Sequence, residues 1–292
     1  MLFLATQVPP YYLFVLIHLV PFGSEVNWCI RYVIMKNYLP MLRSLTFYPL
    51  ILLALITSCG PRQLVKPYNA EKAKAKYVRA VADAAKPEPW EISNDLIAIR
   101  EDNSSLIWKN FGGEAHLLVS SWKGDTTYYF NDSITGRYNT GKYPIWVTAS
   151  PELQEQCTRP GFGRREGLDL RLKQLFGMPP GVNKKYFVSF WVRPADLYRP
   201  CPDGEIGDRS CGLAFPDFVS DNHKNWVNEQ RIASYYNMKW DANYPWTELG
   251  YTYDWNPGNK LHIGLSEFII ATNSNVIVKR AYTTEEFCAI RK

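Results

Sequence analysis

The chain has 292 residues, enough for one large domain or two small ones. Its 46% apolar and 21% charged residues are ordinary for a globular protein. The formal charge of +5 falls to +3 once residues 1–59, with Arg31, Lys36, Arg43 and Glu25, are set aside; with no basic stripe interleaved with aromatics, nucleic acid is not an expected partner.

In chain order, the first apolar stretch is residues 11–22 (YYLFVLIHLVPF). It is too short for a spanning helix of about 20 residues, and prolines flank it. A second stretch begins at Met41. Arg43 supplies a positive start, Leu45 to Ile56 an apolar run of secretory length, and small residues then lead to Cys59. Residues 1–40 are therefore expected to lie upstream of the true start or to carry no structure.

Met41–Cys59 resembles a bacterial lipoprotein signal peptide, and Ile56-Thr57-Ser58-Cys59 is similar to its lipobox, with Ile where Leu is more usual. The resemblance implies removal of residues 41–58, diacylglycerol on the Cys59 sulfur and a palmitate-type chain on the new amino terminus. Such chains anchor a domain through about 0.8 kcal/mol per buried CH₂. Gly60 offers no acidic retention signal, so the resemblance implies a bacterial cell envelope location, at the outer membrane.

Residues 59–89 read as a lipidated tether. Within it 71–86 (EKAKAKYVRAVADAAK) holds strong helix formers and few large apolar residues, which suits a solvated helix or spacer better than a partner-binding helix. Pro87-Glu88-Pro89 ends it, and a single domain is expected over 90–292.

In that domain short strands are expected at 96–99, 106–108 and 143–148. A hairpin is expected from 116–122 and 126–130 around Lys123-Gly124-Asp125. Ser150-Pro151 should start a short helix through Cys157, and Leu168, Leu172, Leu175 and Phe176 recur at helical spacing. Tyr186–Val192 is apolar on both faces and reads as the central strand. Ser220 or Asp221 should cap a helix to about Tyr236. The alternation of Leu249, Tyr251, Tyr253 and Trp255 predicts a strand, with two more at 261–271 and 276–282 closing the sheet as three consecutive antiparallel strands. Thr283 and Glu286 form a capping-box pair for a last short helix. The class is α+β: an antiparallel or mixed sheet with short helices inserted between hairpins.

With Cys29 removed and Cys59 assigned to lipid, four cysteines remain: Cys157, Cys201, Cys211 and Cys288. Export permits disulfides. Cys201 and Cys211 bracket one polar loop, so local pairing there leaves Cys157 with Cys288. The spacings do not suit zinc.

Candidate chemistry is sparse. Asp203, Glu205 and Asp208 in the cysteine-bounded loop offer oxygen ligands for Ca²⁺ but depart from the EF-hand pattern; a solvated loop is the plainer interpretation, and no cofactor is expected. Asp217, Asp221 and His223 could form an acid–base set, though a helix cap and a surface histidine explain them as simply. Gly264-Leu265-Ser266-Glu267-Phe268 lacks the final glycine of a nucleophile elbow. Trp246, Tyr251, Tyr253 and Trp255 could form an aromatic platform for envelope glycan or peptide, with Asp241, Asn243 or Asp254 as polar partners, or could fill a core. The stretches FWVRPADLYRPCPD (190–203) and PWTELGYTYDWNPGNK (245–260) resemble a group of uncharacterised bacterial exported proteins, a resemblance that brings no activity. The expectation is a membrane-anchored envelope lipoprotein with a binding or structural role. A lipid-anchored hydrolase acting on envelope glycan or peptide is the alternative, but no recognisable catalytic motif supports an enzyme.

Overall fold

A computed structural model describes the backbone of Phe3–Val8, Tyr11–Phe22 and Glu25–Met35, and residues 69–130 and 136–290 in full. The chain divides into two units, Met1–Arg62 and Gln63–Lys292. The signal-like stretch, Cys59 and residues 60–68 of the expected tether lie outside the described residues. In the first unit Phe3–Val8 (β1), Tyr11–Phe22 (β2) and Glu25–Met35 (β3) form an antiparallel sheet of order β1-β2-β3. Structure was not expected there, but runs rich in Val, Ile, Tyr and Phe favour strands. No helix among the described residues is long and apolar enough to cross a membrane.

The second unit is α+β. Its first helix, α1 (Ala70–Ala84), is capped by the Asn69 side chain, which accepts from the Lys72 N–H. A solvated spacer was the expectation here. Instead Ala73, Tyr77, Ala80, Val81 and Ala84 share one face and pack against Tyr253 and Trp255. The small alanines let the helix approach closely, so Tyr77 alone fills the gap, edge-on to both Trp240 and Trp255. The packed domain thus includes α1 and does not begin at residue 90.

The main sheet holds Trp108–Phe111 (β4), Glu114–Lys123 (β5), Arg137–Asn139 (β6), Ile145–Ala149 (β7), Tyr186–Val192 (β8), Leu197–Tyr198 (β9), Phe268–Ile270 (β12) and Asn275–Thr283 (β13). Tyr251–Tyr253 (β10) and Ile263–Ser266 (β11) pair separately. The main order is β6-β13-β8-β5-β7-β12-β9, with β4 beside β5, and every pairing is antiparallel.

Strand β8 is central, and its apolar run is explained by cover on both faces. Val188, Phe190 and Val192 enter one core with Leu117, Val119 and Val147. Phe187 enters the other with Trp122, Leu172, Leu265 and Phe287. Helices α2 (Glu152–Thr158), α3 (Leu168–Leu175) and α5 (Thr284–Ala289) cover that second face. Helix α4 (Asp221–Tyr235) starts at Ser220, whose hydroxyl accepts from the His223 N–H. Both disulfides form as expected, Cys157–Cys288 and Cys201–Cys211. The first ties α2 to α5 across 131 residues.

Several expected features differ: residues 96–99 form no strand, and β4 starts only at Trp108. Thr127–Phe130 is a 3₁₀ turn, because both Asp125 carboxylate oxygens bond Thr127 and close a local turn before a strand can begin. The hairpin forms instead between β4 and β5, where Gly112 and Gly113 take φ of 61° and 92°. The closing strands do not form a meander either. β12 lies between β7 and β9, and β13 between β6 and β8. The chain leaves one sheet and enters another at Glu267.

Candidate functional site

Strands β5 and β7 pair only at Val119↔Ala149 and Ser120↔Thr148. Beyond that the backbone ladder stops, and the Ser121 hydroxyl donates to the Trp146 carbonyl at 2.7 Å in its place. The diverging halves, Ser121–Lys123 on one side and Pro144, Trp146 and Val147 on the other, line a cavity of about 330 Å³. Phe176–Met178 after α3 and Tyr244–Trp246 before β10 also contribute to its walls, and Glu267 lies between β11 and β12. The volume is at the lower end for a small-molecule site, roughly 300–1,000 Å³.

Aromatic side chains, Trp122, Trp146, Phe176, Tyr244, Trp246 and Tyr253, alternate in the walls with polar ones, whose atoms are in several cases engaged. The Trp122 indole N–H donates to Thr284 and that of Trp246 to the Pro200 carbonyl. Ser120 bonds Ser189, and the Thr252 hydroxyl donates to the Leu175 carbonyl. Trp146, Trp226 and Trp246 form a mutual cluster with centroids 6.0–6.5 Å apart, and His223 stacks on Trp226.

Three charged groups behave differently. The Glu267 backbone N–H donates to the Gly250 carbonyl, which pins the residue where the strand changes sheet. Its carboxyl bonds no described residue, and burial pushes its pKa up to about 8. At neutral pH it is a carboxylic acid that can donate as well as accept. Lys123, at the end of β5, is pushed down to about 8 by burial and then by the neighbouring charge of Lys184. Burial also lowers Lys184. Neither lysine pairs with a carboxylate among the described residues.

The residues singled out by sequence fall elsewhere. Trp246, Tyr251, Tyr253 and Trp255 are all buried, so they build core, not a surface platform. The Tyr251 hydroxyl donates to the Glu91 carbonyl and that of Tyr253 to Asp83, while the Trp255 indole donates to the Met178 carbonyl. Only Trp246 and Tyr253 of the four reach the cavity. Of their proposed polar partners, Asp254 is held by Arg171 through two bonds of 2.9 and 2.7 Å, and Asn243 bonds the backbone at Asn237. Asp241 is exposed.

Asp217, Asp221 and His223 do not converge. Asp217 is exposed, and Asp221 opens α4 with its side chain 93% exposed beside Lys224. A His223 ring nitrogen lies 2.8 Å from the Cys201 carbonyl. The histidine therefore braces the disulfide loop instead of facing an acid.

Asp203, Glu205 and Asp208 do not form a Ca²⁺ shell. Arg199, fully buried, donates to the carbonyls of Glu205, Asp208 and Ile97 at 2.9, 2.9 and 3.2 Å. A cation already occupies the centre of the loop and uses the carbonyls that calcium would need. The grouping with metal-ligand proximity among the described residues is Cys201, Asp203 and Cys211, whose sulfurs are bonded to each other.

Sequence reasoning passed over Glu267, Lys123 and Lys184. The available signal for Glu267 was an acid interrupting the apolar run of residues 263–270. No protein-family model, curated protein or solved structure matches the chain.

Proposed function

We propose that the protein is a lipid-anchored envelope binding protein that holds a saccharide in the cavity between β5 and β7, with its anchor at Cys59. The observation that carries the binding role is the pairing of aromatic side chains in the walls with one carboxylic acid, Glu267, that has no partner among the described residues. Aromatic faces suit the C–H faces of sugar rings. A protonated carboxyl gives a sugar hydroxyl a donor and an acceptor together. Hydrolysis is the weaker alternative. Glycoside cleavage uses two carboxylates, about 5–9.5 Å apart, and the cavity lining supplies one. The anchor rests on the resemblance of Met41–Cys59 to a lipoprotein signal.

Titration of the full chain with short oligosaccharides, followed by tryptophan fluorescence, tests the binding role. Saturable binding that weakens about tenfold in Glu267→Gln, with the far-UV spectrum unchanged, is the expected result. No binding of any oligosaccharide at millimolar concentration removes it. Mass spectrometry of membrane-extracted protein tests the anchor: an acylated peptide beginning at Cys59 is expected, and a Ser58–Gly60 peptide with a free thiol overturns it.

A further inference from the structure

We propose that the outward side of α1 and the turn after α4 form a docking face for an anionic lipid surface, so that the anchored domain lies against its membrane in one orientation. This rests on the Cys59 anchor proposed above and adds the contact that orients the domain behind it.

The charge comes from the sequence that follows the anchor. Residues 60–79 hold Arg62, Lys66, Lys72, Lys74, Lys76 and Arg79 against a single acid, Glu71. Lys72, Lys76 and Arg79 recur at helical spacing along one edge of α1, and Lys74 stands on the other edge. Between the two edges the outward strip carries Ala75, Val78 and Ala82, all exposed. Basic clusters of this density beside a membrane anchor are drawn to anionic headgroups.

The apolar part comes from a second element. The Tyr235 hydroxyl donates to the Ala84 carbonyl, while Trp240 meets Tyr77 edge-on and has the Lys74 ammonium over its ring at 5.1 Å. These contacts, near the two ends of α1, hold residues 236–239 alongside the helix. Tyr236 and Met238 in that segment are 76% and 105% exposed, and Ile232, one turn earlier on α4, is 65% exposed. Lys239 and Asp241 flank Trp240 and offset each other's charge. Tyr, Trp and Met beside lysines suit the boundary between headgroups and acyl chains, where apolar bodies enter and ammonium groups stay at the surface.

The length of chain before α1 selects the occupant. Gly60 to Asn69, ten residues, join Cys59 to the helix, and fully extended they reach roughly 35 Å. An acylated Cys59 therefore keeps the lysines of α1 within reach of headgroups at all times, and so high an effective concentration lets a weak face dock. The face also adjoins the cavity. Tyr244 lines it and follows Asn243, whose carbonyl accepts from the Tyr77 hydroxyl at 2.7 Å.

The rate at which hydrogen peroxide oxidises Met238 tests the docking. The full chain is extracted from membranes and returned to vesicles of phosphatidylcholine alone, or of equal parts phosphatidylcholine and phosphatidylglycerol. Acyl chains hold the protein to both, and only the second presents an anionic surface. Mass spectrometry reads each methionine and the Cys59 peptide in the same digest. Met238 is expected to oxidise about fivefold more slowly on the anionic vesicles, while Met178, in the cavity wall, keeps its rate. High salt should restore the Met238 rate by screening the lysines. Lys72→Glu combined with Arg79→Glu should abolish the difference between the vesicles. Equal Met238 rates on the two vesicles, with Cys59 acylated, overturn the inference while leaving the anchor standing, and need no variant to fold. Slowing that grows with protein concentration in the absence of vesicles assigns the face to a second copy of the chain and overturns the inference too. A Cys59 peptide with a free thiol removes the anchor, and the inference with it.

Discussion

Around Arg199 a fully buried guanidinium meets the carbonyls of Ile97, Glu205 and Asp208, the Asp208 carboxylate and the ring of Phe268, and only Nη1 lacks a partner. Around Glu267, by contrast, a carboxyl of the cavity lining has no described partner, while Lys123, whose ammonium lies over the Tyr129 ring, and Lys184 have no carboxylate partner among the described residues. Both regions bring charge out of bulk water. In the first, backbone carbonyls gathered from a disulfide loop offset the loss of hydration, and the result is a rigid loop. In the second no described residue supplies a counter-charge, and the ionised forms raise the free energy of the fold. Matched burial is architecture here; unmatched burial is where a ligand can gain affinity.

Mutation can break this contrast. Arg199→Leu should have the largest effect, lowering stability by about 3–5 kcal/mol, because three carbonyls lose their donors together. Urea denaturation measures it, and a loss below about 1 kcal/mol would mean that the loop does not need its cation. Asp254→Asn should follow at about 3 kcal/mol, since it leaves the Arg171 guanidinium facing a neutral amide in a largely buried site.

The cavity groups should respond in the opposite sense. The pKa of Glu267 is raised from 4.5 to about 8 by burial. Between those values the native state keeps a proton that the unfolded chain has released. Stability from this group is fully present below about pH 4.5 and is lost as pH rises through about 8. Glu267→Gln removes this dependence. The variant should match wild type near pH 4 and exceed it above pH 8, by an amount on the order of 1 kcal/mol. Urea midpoints measured across that range give the difference curve; a flat difference overturns the assignment. The smallest expected effect is that of Lys123→Met. The lysine's pKa is lowered from 10.5 to about 8, so its charged form penalises the native state below pH 8 and the penalty fades as pH rises to 10.5. The variant should therefore gain up to about 1 kcal/mol at pH 7 and nothing above pH 10.5. Destabilisation at pH 7 would show that the ammonium is matched after all.

Legibility in the sequence followed the same division. Features set by neighbours in the chain were readable: the Ser220 cap, the Thr283–Glu286 capping box and the short Cys201–Cys211 loop. The β8 run was readable because a strand buried on both faces has no polar side to hide. The alternation at Leu249–Trp255 does mark a strand, β10, but not its burial, because Thr252 and Asp254 are as buried as the aromatics between them. They satisfy their polar atoms through Leu175 and Arg171, some 80 residues away, which no local pattern reports. The cavity was invisible for a similar reason. It exists because β5 and β7 stop pairing after two residues and because the chain changes sheets at Glu267. The first depends on contacts 25 residues apart and the second on a strand pairing across more than a hundred, such as Phe268↔Val147.

The packing of α1 against Tyr253 and Trp255 sets a leash length. If Cys59 is the lipid-bearing residue, only Gly60 to Asn69 remain between the bilayer and the first fixed turn of the domain. A fully extended chain of that length reaches roughly 35 Å. A tether running to residue 89 would have reached about three times as far. The domain would then patrol a thin shell next to the membrane, and a polymer lying deeper in the envelope would have to come to it.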